Sequence, residues 1–92
     1  MAKTRSFELA PLPFEVTVAL QSLGQRIAMA RKRRGHTQLV FADMLGVSNQ
    51  TLVFIEQGRP TVQIGHYLRA LWLLEIGDAV LNVVPLLPAD AE

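Results

Sequence analysis

The sequence has no cysteine, which excludes disulfide stapling, thiolate catalysis and cysteine-ligated zinc. Long hydrophobic runs are missing too. The longest apolar stretch without charge, residues 79–89, is interrupted by Asn82, Pro85 and Pro88, whereas a membrane span needs roughly 18 or more nearly uncharged apolar residues. Behind the opening Met1-Ala-Lys-Thr-Arg-Ser there is no apolar core of signal-peptide length. No glycine-rich phosphate loop is present; Gly24, Gly35, Gly46 and Gly58 are dispersed and read as helix ends or bends. His36 and His66 lie far apart, with no paired carboxylate at metal spacing, so both read as surface histidines. Asp43, Glu56, Glu75 and Asp78 form no acid–base pair, and Ser48 lacks triad partners at recognisable spacing. The expectation is a protein that is not an enzyme and takes no metal, other cofactor or small-molecule ligand.

What is present is hydrophobic. Half of the 92 residues are apolar and only 18% are charged, with a mean hydropathy of +0.26. A disordered segment would show the opposite balance, and the length fits one small domain. The expected location is cytoplasmic. Net charge is only +1, but its distribution is uneven. Between Val16 and Ala42 stand Arg26, Arg31, Lys32, Arg33 and Arg34 with no acid, while Asp43, Glu56, Glu75, Asp78, Asp90 and Glu92 follow. A local basic patch is what phosphate steering requires, although a solvated helix face would show the same run.

Apolar positions recur at spacings of three and four from Phe14 onward, through Val16, Leu20, Leu23 and Ile27, predicting a helix with Pro13 in its first turn. Gly24 either breaks that helix in two or bends it, and Gly35 ends it. Thr37 is a candidate N-cap for a helix over residues 38–45, and Ser48 for one over 49–57 that stops at Gly58. A further helix is expected over 63–75, with Leu68 and Leu71 on its buried side, beside which Trp72 is read as core or dimer interface. Residues 78–84 read as a helix or a short strand, since Val80, Val83 and Val84 are β-branched. Met29 and Met44 read as core fillers. The expected organisation is an all-α, five-helix domain over 13–84, with a flexible arm at 1–12 and a tail at 85–92.

The informative segment is residues 37–58. Two short helices flank the three-residue turn Gly46-Val47-Ser48, and the small Ala42 lets the helices approach. That is the pattern of a helix-turn-helix, whose second helix enters the major groove. Leu45, Val47, Leu52 and Ile55 would face the core.

On Leu23-Gly-Gln-Arg-Ile27, Arg31, Arg34-Gly35, Thr37-Gln38, Ala42, Leu45-Gly-Val-Ser48 and Ile55-Glu-Gln-Gly-Arg59, the sequence resembles the phage repressor/Cro-like (XRE) helix-turn-helix family over residues 23–76. The resemblance implies a compact lambda-repressor-like fold and a structural ion pair between Arg31 and Glu56. By position it implies phosphate contacts from Gln38, Arg59 and some of Lys32, Arg33 and Arg34, with Thr37 beside them. Ser48, Asn49 and Gln50 would begin the recognition helix, Asn and Gln being suited to adenine, and Thr51 would reach a phosphate or a base edge. Phe54 would either touch a thymine methyl or fill a cleft. A narrower resemblance, through Arg31-Lys-Arg-Arg34, Ile55-Glu-Gln-Gly-Arg-Pro60, Val62-Gln-Ile-Gly65, Tyr67 and Arg69-Ala-Leu-Trp72, is to HipB-like antitoxins. It implies a homodimer on a palindromic operator in double-stranded DNA, autoregulation, and a HipA-like kinase toxin as partner.

The family is usually polar at the positions of Leu39, Val40, Val53 and Phe54, and these apolar residues admit a second reading. It is a protein-interaction module on the same scaffold that does not need DNA. With Trp72, Val80, Leu81, Val83 and Val84 they are surplus to a small core, and the latter five are the expected dimer or partner interface.

Overall fold

Side-chain caps and left-handed glycines delimit the two short central helices. The computed structural model describes residues 11–74, which form α1 (Phe14–Arg33), α2 (Gln38–Leu45), α3 (Asn49–Gln57) and α4 (Ile64–Leu73). Thr37 Oγ1 accepts from the Val40 N–H at 3.1 Å, and Ser48 Oγ accepts from the Thr51 N–H at 3.0 Å. Each satisfies a donor that a helix start leaves unpaired. Gly46 closes α2 at φ +76°, and the Val47 N–H donates back to the Ala42 carbonyl at 3.0 Å. Side-chain-bearing residues resist that left-handed conformation, so α2 stops here and the chain turns. The axes of α2 and α3 differ by 100°, within the range of a helix-turn-helix. No single helix among the described residues is long and apolar enough to cross a membrane.

One expectation about α1 is corrected and another is narrowed. Pro13 is the N-cap and not a first-turn residue; its carbonyl accepts from the Val16 and Thr17 N–H groups. Of the two readings of Gly24, the break is excluded, since α1 runs on through it. Gly24 is buried in the middle of α1 because the end of α3 lies on it: a Cβ there would stand 2.5 Å from the Glu56 carbonyl oxygen. The described residues hold four helices, and the further expected element, 78–84, lies outside them.

The core is the junction of all four helices. Ile27, Phe41, Leu45, Leu52, Ile55 and Leu74 are fully enclosed, with Ala42, Tyr67, Ala70 and Leu71 around them. Phe41 stands among the largest of these and its spacing did not single it out. Its ring stacks on His36 at 6.2 Å between centroids, so His36 is half-buried and not a free surface residue. Val16, one of the apolar positions that predict α1, is nevertheless 42% exposed. The reason is that α3 ends at Gly58 against Leu20 and Gln21, leaving the earlier turns of α1 uncovered. Met29 and Met44 are about half exposed, each one position away from a buried row on its helix. Trp72 follows buried Leu71 but turns roughly 100° away from it and is 66% exposed, so it is not a core residue.

Candidate nucleic-acid interface

Its C-terminal half fixes α3 to the rest of the domain. Gly24 receives the carbonyls of Ile55 and Glu56, and Gly58 meets the α1 backbone at Leu20 and Gln21. Arg31 then locks the corner. Its Nε donates to Glu56 Oε2 at 2.6 Å and its Nη2 to Oε1 at 3.2 Å, while Nη1 donates to the His36 carbonyl at 2.9 Å. The two side chains are only 7% and 8% exposed, so the pair is largely desolvated. Gln38 Nε2 adds a third bond to Glu56, at 2.9 Å. One carboxylate thus joins α1, α2 and α3. The Gln38 amide is turned inward by this bond, and the backbone start of α2 is what remains for an anion.

The opposite end of α3 projects. Ser48, Asn49 and Gln50 are all exposed. Ser48 Oγ closes on the first turn, accepting from the Thr51 N–H and donating to Thr51 Oγ1 at 3.0 Å. Its hydroxyl is therefore occupied locally, whereas the Thr51 hydroxyl proton is free to point outward. Asn49 and Gln50 make no side-chain hydrogen bond among the described residues. Two unengaged amides at an exposed helix start can offer paired donor and acceptor groups to a base edge.

Phe54 and Arg59 were considered separately in the sequence, and the structure brings them together. The Arg59 guanidinium carbon lies 4.0 Å above the centre of the Phe54 ring, a cation–π geometry. Phe54 is half-buried and borders a cleft of about 340 Å³ with Thr51, Thr61, Val62, Gln63 and His66. Lys32 and Arg33 are exposed at the end of α1, and Arg34 beside them is engaged. Val80, Leu81, Val83 and Val84 lie outside the described residues. No group of three or more His, Asp or Glu among the described residues is placed to hold a metal ion.

Tyr67 supports this edge from beneath. Its hydroxyl donates to the Arg59 carbonyl at 2.7 Å, and burial raises its pKa above the ordinary value of 10.0. Well below pH 10 the phenol is neutral in both folded and unfolded chains and contributes no pH dependence. Around pH 10 the unfolded phenol ionises first, so stability is lost as pH rises from there through the folded value. In urea titrations from about pH 9 to about pH 11, Tyr67→Phe should fall less steeply than the parent. Parallel curves would show that another group carries the alkaline loss.

Residues 27–65 match the family model described as Helix-turn-helix. The matched stretch runs from the buried Ile27 of α1 through the turn and α3 to the start of α4. No curated protein and no solved structure matches the chain.

Proposed function

From a DNA-binding helix-turn-helix of the XRE type over residues 27–65, we propose that this transcription regulator is a sequence-specific, homodimeric repressor. It autoregulates its operon as the antitoxin of a HipA-like kinase toxin. The observation that carries the DNA reading is the exposed, capped start of α3. There Asn49 and Gln50 stand unengaged while the other end of the helix is locked to α1.

The homodimer has its own support. An apolar groove of about 400 Å³ runs between α1 and α4, with Leu12, Val16 and Leu20 on one wall and Ile64, Leu68 and Leu71 on the other. Trp72 is exposed on the same α4. A second copy would be seated there, together with Val80, Leu81, Val83 and Val84. The HipA-like partner rests on the resemblance through residues 31–34, 55–60 and 62–72.

Footprinting on the promoter of its own operon should protect two half-sites about 34 Å apart. The double variant Asn49→Ala/Gln50→Ala should weaken operator binding by roughly 2 kcal/mol or more and leave random DNA nearly unaffected. Equal loss on both duplexes would remove base reading from these residues, and one isolated half-site would remove the palindrome. The interaction-module reading is favoured by Leu39, 71% exposed on α2, with Val40 next to it. A complete absence of salt-sensitive DNA binding would leave that reading standing.

A further inference from the structure

Arg59 is held from several directions before anything binds it. Its backbone N–H donates to the Phe54 carbonyl at 3.1 Å, and its own carbonyl accepts from Tyr67. Along the side chain, Nε donates to Gln57 Oε1 at 2.8 Å, and the guanidinium lies over the Phe54 ring. The two terminal nitrogens make no hydrogen bond among the described residues. They are the pair of donors that fits a phosphate in two-point fashion.

We infer that Phe54 and Gln57 are positioning residues that preorganise Arg59 as a clamp on the DNA backbone, and that Phe54 does not read a base. This rests on the DNA-binding reading above and gives Phe54 a role in place of base contact. Three observations carry it. One face of the Phe54 ring is already covered by the guanidinium, 4.0 Å from its centre. Phe54 lies toward the locked end of α3, a turn beyond the projecting Asn49 and Gln50. Gly58, between Gln57 and Arg59, is itself packed on the α1 backbone, so the point where Arg59 leaves α3 is fixed as well.

The geometry has an energetic reading. A flexible arginine loses rotamer freedom when it grips a phosphate. Arg59 has already lost much of it on folding, so the remaining cost at the DNA is small. Lysine is a poorer fit, because one compact ammonium cannot stack a planar face on Phe54, bond Gln57 and grip a phosphate at two points together. Arg59 would set affinity and register, leaving sequence choice to the start of α3.

The test compares binding to a tight duplex selected from a random library and to an unselected duplex, across a salt series. Phe54→Leu should weaken both to a similar degree, by about tenfold. It should also make the salt slope shallower by up to about 0.9, the signature of one phosphate contact. Phe54→Tyr, which keeps the ring, should restore both values. With Arg59→Gln already present, Phe54→Leu should have no further effect. Gln57→Met, at an exposed residue, repeats the test with a smaller shift in the same direction and without touching the core. Loss confined to the selected duplex with an unchanged slope would make Phe54 a base reader and overturn the inference. So would full additivity with Arg59→Gln. If the parent protein binds neither duplex in a salt-dependent way, the DNA reading itself fails, an outcome distinct from both.

Discussion

Arg31→Ala should lower folding stability by about 3–5 kcal/mol, a large share of the roughly 5–15 kcal/mol that holds a small domain together. The size follows from what is left behind. Without Arg31, the Glu56 carboxylate stays buried at the meeting of three helices with only the Gln38 amide as donor. An uncompensated charge there costs more than the bond itself contributed. Glu56→Ala should be similarly damaging, since it leaves the guanidinium with the His36 carbonyl alone. The combination Arg31→Met/Glu56→Leu should be less costly than either single change to alanine, because no buried charge remains. Urea unfolding reads all three, provided the slope m is unchanged. A loss under about 1 kcal/mol for Arg31→Ala would mean that the pair behaves as a solvated surface contact.

Gly24→Ala should destabilise by about 2–4 kcal/mol, although alanine is the better helix former by about 1 kcal/mol. The reversal of sign comes from α3. The added methyl would stand 2.5 Å from the Glu56 carbonyl oxygen and 2.6 Å from that of Ile55. Both are backbone atoms, so no side chain can swing aside to relieve the contact. The helices must separate, which strains the Arg31–Glu56 pair and tilts α3 relative to the domain. Gly58→Ala adds a left-handed φ of +71° to a similar collision with the Leu20 backbone, and should be worse. Gly65 supplies the control: it lies in α4 with open space around it. There the same substitution should be neutral or should stabilise by up to about 1 kcal/mol. Thermal melts should therefore show a lowered Tm for Gly24→Ala and an unchanged or raised one for Gly65→Ala. A stabilised Gly24→Ala would mean that the α1–α3 approach is looser than described.

Local chemistry was legible in the residues and tertiary approach was not. Thr37 and Ser48 cap their helices, and Gly46 turns the chain, because hydrogen bonding and backbone sterics act within a few residues. The exposure of Leu39 and Val40 could likewise be read from apolar residues surplus to one helix face. The reason for Gly24 lies on another helix; a glycine between apolar positions looks the same whether it breaks a helix or receives one. Phe41 escaped notice because an eight-residue helix holds barely two turns of periodicity. The reading of Met29 and Met44 as core fillers fails in the other direction, since apolar character alone does not fix which side of a helix is covered. The pairing of Phe54 with Arg59 needed the path of the chain around Gly58. A signal was present in retrospect: an aromatic residue five positions before an arginine, across a helix-ending glycine, can fold back onto it.

The position of Trp72 has a practical consequence. It is the sole tryptophan of the chain, and most of its surface already faces solvent. Its emission should therefore change little when the domain unfolds and shift to shorter wavelength when another surface covers it. One intrinsic fluorophore then records docking of a second copy or of a partner while remaining nearly blind to folding. Titrations of self-association can be followed on the unlabelled protein, with stability monitored separately by circular dichroism.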